Sequence, residues 1–81
     1  MSQTEIKETQ VLDARGLLCP MPIVKTAKAM KELAPGDVLK VMATDRGSIA
    51  DVPAWATTTG NELLDWHEEG DFIVFYVRKV A

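Results

Sequence analysis

The sequence predicts an α/β (α+β) two-layer sandwich of order β-α-β-α-β-β, with a mixed sheet of about four strands and two helices on one face. Two amphipathic helical segments alternate with short apolar strands, and a glycine-containing turn then joins the last two strands. The 81 residues are enough for one domain, placed at 10–81 and preceded by a flexible segment at 1–9. The second sheet face is left partly open, as a surface for docking or dimerisation.

Four segments have the apolar composition of strands, at 10–14, 37–44, 62–68 and 72–79. The last of them, FIVFYVRK, is the strongest prediction. Glu69-Gly70-Asp71 is predicted to be the hairpin turn before it. Simple alternation in the third segment is expected to put Leu64 and Trp66 on the same face.

The first helix is predicted to begin at two prolines and to end at Pro35-Gly36. A proline fits the first helical turn because the N–H that it lacks has no helical partner there. Helical spacing predicts a buried stripe, widened by Val24 and Leu33, that consists of Ile23, Ala27, Met30 and Ala34.

The start of the second helix has two alternatives in the sequence. Ser48 stands three residues before Asp51, which resembles a capping box with Asp in place of Glu. Pro53 would then lie beyond the first turn, so Asp51 is the alternative cap, with Pro53 in the first turn. The helix is predicted to end at Gly60-Asn61.

Composition excludes several classes of function. A net charge of −3 and a pI near 5.0 argue against nucleic acid as a direct partner. The single cysteine rules out an internal disulfide, a CxxC redox pair and a cysteine-based zinc site, and no other metal site or bound cofactor is expected. The chain has neither a membrane-length apolar run nor a signal-peptide pattern, so we expect a cytoplasmic protein without membrane contact.

Cys19 is the candidate for chemistry, although a free cysteine is most often a small buried hydrophobe. A helix N-terminus favours the thiolate over the thiol. Pro20 and Pro22 stiffen the junction and remove two donors, which leaves the N–H groups of Met21 and Ile23 to face an anion. A single thiolate without a resolving cysteine is suited to accepting a sulfur atom and passing it on.

The segment LDARGLLCPMP at 12–22 resembles the N-terminal signature of the TusA/SirA sulfur-carrier family, which centres on a Cys-Pro-x-Pro (CPxP) motif. The resemblance continues through Ala43-Thr44-Asp45, Asp51-Val52-Pro53 and Gly60-Asn61-Glu62-Leu63. It implies the same β-α-β-α-β-β fold and a transient persulfide on Cys19 in place of a cofactor. Family members that act in tRNA thiolation have Glu between the two prolines, whereas this chain has the apolar Met21, which favours broader sulfur trafficking.

The resemblance also implies a sulfur relay between proteins. The expected donor is a rhodanese or a cysteine desulfurase, and the expected acceptor is a DsrE-type or heterodisulfide-reductase-like protein. The resemblance implies delivery towards sulfur oxidation, molybdenum-cofactor assembly or tRNA thiolation. The chain would act as a sulfurtransferase-type carrier together with its partner enzymes.

Around Cys19, the residues predicted to support the loop and the helix N-terminus are Asp13, Arg15, Gly16, Pro20, Met21 and Pro22. Asp13 and Asp45 are expected to bond within turns, and either is placed to pair with Arg15. Lys25 and Lys28 are predicted partner contacts, although a solvated helix face is the more common explanation of such lysines.

Two other functions remain open from the residues alone. In the first, the domain is a regulatory or scaffold module that binds proteins, and Cys19 is not used chemically. In the second, it is a thiol-dependent enzyme, for which His67 is the obvious second catalytic group. Partner binding that survives Cys19→Ala would favour the binding module.

Overall fold

A computed structural model describes residues 7–18 and 20–80 of the chain. Its elements are β1 (Gln10–Ala14), α1 (Met21–Lys31), β2 (Val38–Ala43), α2 (Ser48–Thr59), β3 (Glu62–Glu69) and β4 (Phe72–Arg78). The sheet order is β1-β2-β4-β3, with β1 parallel to β2 and the other two pairs antiparallel. The predicted mixed sheet and element order are confirmed.

The core lies between both helices and one face of the sheet. Phe75 on β4 has no exposed surface and is the largest fully buried side chain. It belongs to a cluster to which the two central strands and both helices contribute, formed by Met30, Leu33, Leu39, Val41, Ala43, Val52, Ile73, Phe75 and Val77. The two helices therefore cover the same sheet face, as predicted.

The buried face of α1 is rotated from the predicted stripe. Pro22 and Thr26 are buried together with Met30, whereas Val24 is 51% exposed and Ala34 lies exposed beyond the helix. The Thr26 hydroxyl donates to the Pro22 carbonyl oxygen at 2.7 Å, so this polar group is satisfied inside the core. Met30 and Leu33 are buried as predicted, and Ile23 packs against the core. The rest of the stripe was misplaced, because a pattern of apolar residues omits a buried threonine.

Neither predicted cap begins α2. The helix starts at Ser48 after Gly47, and the Ser48 hydroxyl donates backwards to the Asp45 carbonyl oxygen at 2.6 Å. Pro53 lies within the helix rather than in its first turn. At the other end, Gly60 adopts the left-handed conformation with φ of 81°, which favours glycine and ends the helix.

A bulge in β3 overturns the predicted alternation of that strand. Leu63 pairs with Val77 and Asp65 pairs with Tyr76, so Leu64 is an additional residue on one strand. Beyond the bulge Trp66 lies opposite Phe75, with ring centroids 6.2 Å apart. Leu63, rather than Leu64, therefore shares the core face with Trp66.

The sheet face opposite the helices is open and mixed in character. Val11, Lys40, Tyr76 and Asp65 form one row of partners across the four strands. The Lys40 ammonium lies 6.0 Å from the Tyr76 ring centroid, within the range of a cation–π contact. This face therefore combines apolar surface with charges that already have neighbours.

The predicted N-terminal segment at 1–9 lies mostly outside the described residues. Its last residue, Thr9, donates its N–H to the Val38 carbonyl oxygen at 2.7 Å, next to the β1–β2 pairing. Neither helix in the described ranges is long and apolar enough to cross a membrane.

Candidate functional site

The loops before α1 and α2 leave from the same end of the sheet. Because β1 and β2 are parallel, Ala14 and Ala43 are partners at their carboxyl ends. Ile73, near the start of β4, is the antiparallel partner of Ala43, so β4 begins at this end too. Cys19 lies outside the described residues, but its neighbours on both sides, Leu18 and Pro20, belong to this end of the molecule.

Asp13 and Arg15 form a forked ion pair at the end of β1. Arg15 Nε donates to Asp13 Oδ1 at 2.9 Å, and Arg15 Nη2 donates to Oδ2 at 3.0 Å. The Arg15 backbone N–H adds a third hydrogen bond, to Oδ1 at 3.1 Å. These hydrogen bonds lower the pKa of Asp13 from its ordinary value of 3.8 to about 2. Of the two predicted partners of Arg15, Asp13 therefore makes this pair.

We expect the Asp13 carboxyl to titrate near pH 2 in the native protein. In Arg15→Gln its pKa should rise towards the ordinary value of 3.8 without reaching it, because the backbone N–H of residue 15 still donates to Asp13 Oδ1. Because the native pKa is the lower one, the pair stabilises the fold above about pH 4, and this stability is lost as pH falls towards 2. Carboxyl carbon NMR measures the midpoint directly. Arg46→Gln is the matched control and should leave Asp13 unchanged; an unshifted midpoint in Arg15→Gln would contradict the assignment.

The loop after Arg15 is tied to two strands of the sheet. The Gly16 N–H donates to the Thr44 hydroxyl at 2.8 Å, and Gly16 has a φ of 85°, in the region that favours glycine. The Arg15 guanidinium carbon lies 5.2 Å from the ring centroid of Phe72. Thr44 and Phe72 were not predicted as site residues, because a threonine after a strand and a phenylalanine in one have ordinary packing explanations.

The first turn of α1 uses its own N–H donors. Met21 donates to the Leu18 carbonyl oxygen at 2.8 Å, and the N–H groups of Ile23 and Val24 both donate to Pro20, at 3.1 and 3.0 Å. The prediction that Met21 and Ile23 offer free donors to an anion is therefore wrong. Any attraction of an anion to this end of α1 comes instead from the aligned peptide dipoles of the 11-residue helix.

The exposed side of α1 is apolar near its start and basic further along. Leu18, Met21 and Val24 are 75%, 41% and 51% exposed. Lys25 and Lys28 are also exposed, and their spacing from Met21 places them on the same helix face. Helix α1 contains three lysines and no acidic residue, although the whole chain has a net charge of −3. The two predicted partner contacts therefore lie beside an apolar rim.

Asp45 lies in the β2–α2 loop, and His67 lies on β3. The Asp45 carboxylate accepts the Gly47 N–H at 3.1 Å, a turn bond at the start of α2. His67 Nε2 lies 2.7 Å from Glu69 Oε2, and its ring neighbours Tyr76 on the open sheet face. The helices pack on the opposite face, so His67 lies on the sheet face away from them.

A second ion pair holds the loop that precedes α2. The Arg46 guanidinium donates to both carboxylate oxygens of Glu68, at 3.1 and 3.2 Å. These bonds lower the pKa of Glu68 and join the β2–α2 loop to β3. Both loops at this end of the sheet are thus braced by an arginine–carboxylate fork.

Comparison with known proteins gives consistent results. The family model described as sulfurtransferase TusA matches residues 10–79. The candidate sulfur carrier YrkF of Bacillus subtilis (strain 168) is 55% identical over 74 residues, which are 91% of this chain and 40% of that relative. The chain thus spans less than half of YrkF. The sulfur carrier protein TusA of Allochromatium vinosum is 47% identical over 70 residues, covering 86% of this chain and 92% of that relative.

The fold is also similar to a solved structure. The crystal structure of a SirA-like protein from Desulfitobacterium hafniense superposes with a TM-score of 0.73 at 25% sequence identity. The match covers 90% of this chain and 100% of that one. Sequence and fold comparisons therefore agree over nearly the whole domain.

Proposed function

The chain belongs to the TusA family, and from this premise we propose that it is a sulfur carrier that holds sulfane sulfur as a persulfide on Cys19. The observation that carries the proposal is the braced loop that leads to the only cysteine of the sequence, two residues before the first residue of α1. A helix N-terminus favours the thiolate, which is the form that attacks sulfur.

Loading is a thiol–persulfide exchange that balances without an added oxidant. The Cys19 thiolate attacks the terminal sulfur of the donor's cysteine persulfide, and a new S–S bond forms as the donor's S–S bond breaks. The donor cysteine leaves as a thiolate, and the persulfide proton stays on the transferred sulfur. Delivery repeats this exchange, with Cys19 as the leaving thiolate and an acceptor cysteine as the nucleophile.

The surface around the loop supports recognition of protein partners. The apolar rim formed by Leu18, Met21 and Val24 suits an apolar contact, and Lys25 and Lys28 suit carboxylates beside it. We assign the donor to the rhodanese or cysteine desulfurase class and the acceptor to DsrE-type or heterodisulfide-reductase-like proteins. A relay through a free thiol is favoured in a reducing compartment, and we propose that it operates in the cytoplasm.

Intact-mass measurement tests the carrier function. After incubation with a rhodanese and thiosulfate, or with a cysteine desulfurase and cysteine, we expect a gain of about 32 Da that a reductant removes. Cys19→Ser should show no gain. If neither donor loads the wild type while iodoacetamide still modifies Cys19, the carrier function is rejected and the protein-binding module becomes the better explanation.

A further inference from the structure

Thr44 continues the β1–β2 ladder beyond the point where the two strands separate. The last paired residues are Ala14 and Ala43, after which the chain of β1 turns into the loop that leads to Cys19. At the next step the Thr44 side chain supplies the acceptor, and its hydroxyl receives the Gly16 N–H at 2.8 Å. A side chain thus replaces the main-chain partner and holds the loop against β2.

Phe72 supports the same loop from the neighbouring strand. Ala43 and Ile73 are partners across β2 and β4, so the residues that flank them, Thr44 and Phe72, lie side by side at this end. The Arg15 guanidinium lies over the half-buried Phe72 ring and donates two hydrogen bonds to the Asp13 carboxylate. A cation that is both hydrogen-bonded and placed over an aromatic ring has little freedom to move.

We propose that Thr44 and Phe72 are positioning residues for sulfur transfer at Cys19, which they serve by fixing the loop 15–18 from the sheet side. This inference rests on the proposed function. The loop is short, and the Met21 N–H donates to the Leu18 carbonyl oxygen across residues 18–21. Its two contacts with the sheet therefore fix the described residues that directly precede Cys19 in the sequence. Neither residue takes part in the chemistry itself; both act through the loop.

The pH profile of Cys19 alkylation tests the inference on the complete chain. In Thr44→Val, which removes the hydroxyl but keeps the shape, the midpoint should move towards the free-cysteine value of about 8.5. Loading by a rhodanese with thiosulfate should slow by about 5- to 10-fold, since a displaced nucleophile reacts less often. Thr44→Ser should restore both values, and Phe72→Leu should change both while Phe72→Tyr does not.

A purely structural role would lower the thermal midpoint without moving the alkylation profile. If the wild type loads and Thr44→Val matches it in profile and rate, the positioning role is overturned while the carrier function stands. If the wild type never loads but the alkylation midpoint shifts in Thr44→Val, the loop contact positions the thiol and the carrier function is what fails. Phe72→Leu provides the same comparison through a second contact.

Discussion

Phe75→Ala is expected to lower the free energy of unfolding by about 3–5 kcal/mol, the usual cost of removing a fully buried phenylalanine. Phe75 has no exposed surface, stacks on Trp66 and lies among the residues that both helices contribute to the core. An 81-residue domain has a total stability of about 5–15 kcal/mol, so this loss is a large fraction of the total. Urea unfolding followed by tryptophan fluorescence measures the change.

Tyr76→Ala is the matched control, one residue along the same strand but on the open face. Its side chain is only half-buried, so truncation leaves no enclosed cavity, and a loss of about 1–2 kcal/mol is expected. Equal losses for the two variants would show that the open face is packed as tightly as the helix-covered face.

Reversing Lys25 and Lys28 together to Glu is expected to slow sulfur loading by about 10-fold at low ionic strength, because electrostatic steering governs encounter between charged surfaces. Both lysines are exposed on the α1 face that also carries Met21 and Val24. Loading is measured as the initial rate of persulfide formation by mass spectrometry. The difference from wild type should shrink as salt rises to about 0.5 M, since screening weakens the attraction.

The control for this charge reversal is Lys7→Glu combined with Lys40→Glu. This variant has the same net charge, but its changes lie near the N-terminus and on the open sheet face. Only the α1 variant should load slowly. If the Lys25/Lys28 variant loads at the wild-type rate at low salt, these two lysines are not part of the partner surface. If both variants are slowed equally, the effect comes from net charge.

The fold was predictable because its strongest signals are local. The apolar run in β4, the turn at Gly70 and the Pro35-Gly36 break before β2 indicate the element order. The predicted helix end at Pro35-Gly36 was late, because α1 ends at Lys31 and residues 32–36 form turns. Exact packing was less predictable, because it depends on contacts between distant residues. Thr26 is buried through a bond to Pro22, and Leu64 is a bulge residue that only strand pairing reveals.

The candidate site was predictable as a motif but not as a set of contacts. Asp13 and Arg15 are two residues apart, so the sequence could suggest their pairing, and the structure contains this pair. Thr44 lies 28 residues from Gly16, and the bond between them exists only because β1 and β2 are parallel neighbours. Such a contact has no signature in a single sequence.

The first-turn N–H groups of α1 donate to carbonyl oxygens of the chain itself, so they are not available to an anion. This matters for a sulfur carrier, which exists in an empty and a loaded state. The negative charge of a thiolate lies on the cysteine sulfur, whereas that of a persulfide lies one S–S bond, about 2 Å, further out. A fixed N–H donor suits one of these positions, since hydrogen bonds weaken steeply with distance and angle. The field of the helix reaches both, so α1 can favour the empty and the loaded anion alike. In the proposed relay, transfer of the sulfur would break no hydrogen bond to the N–H groups of Met21, Ile23 and Val24, because these groups already donate within the turn.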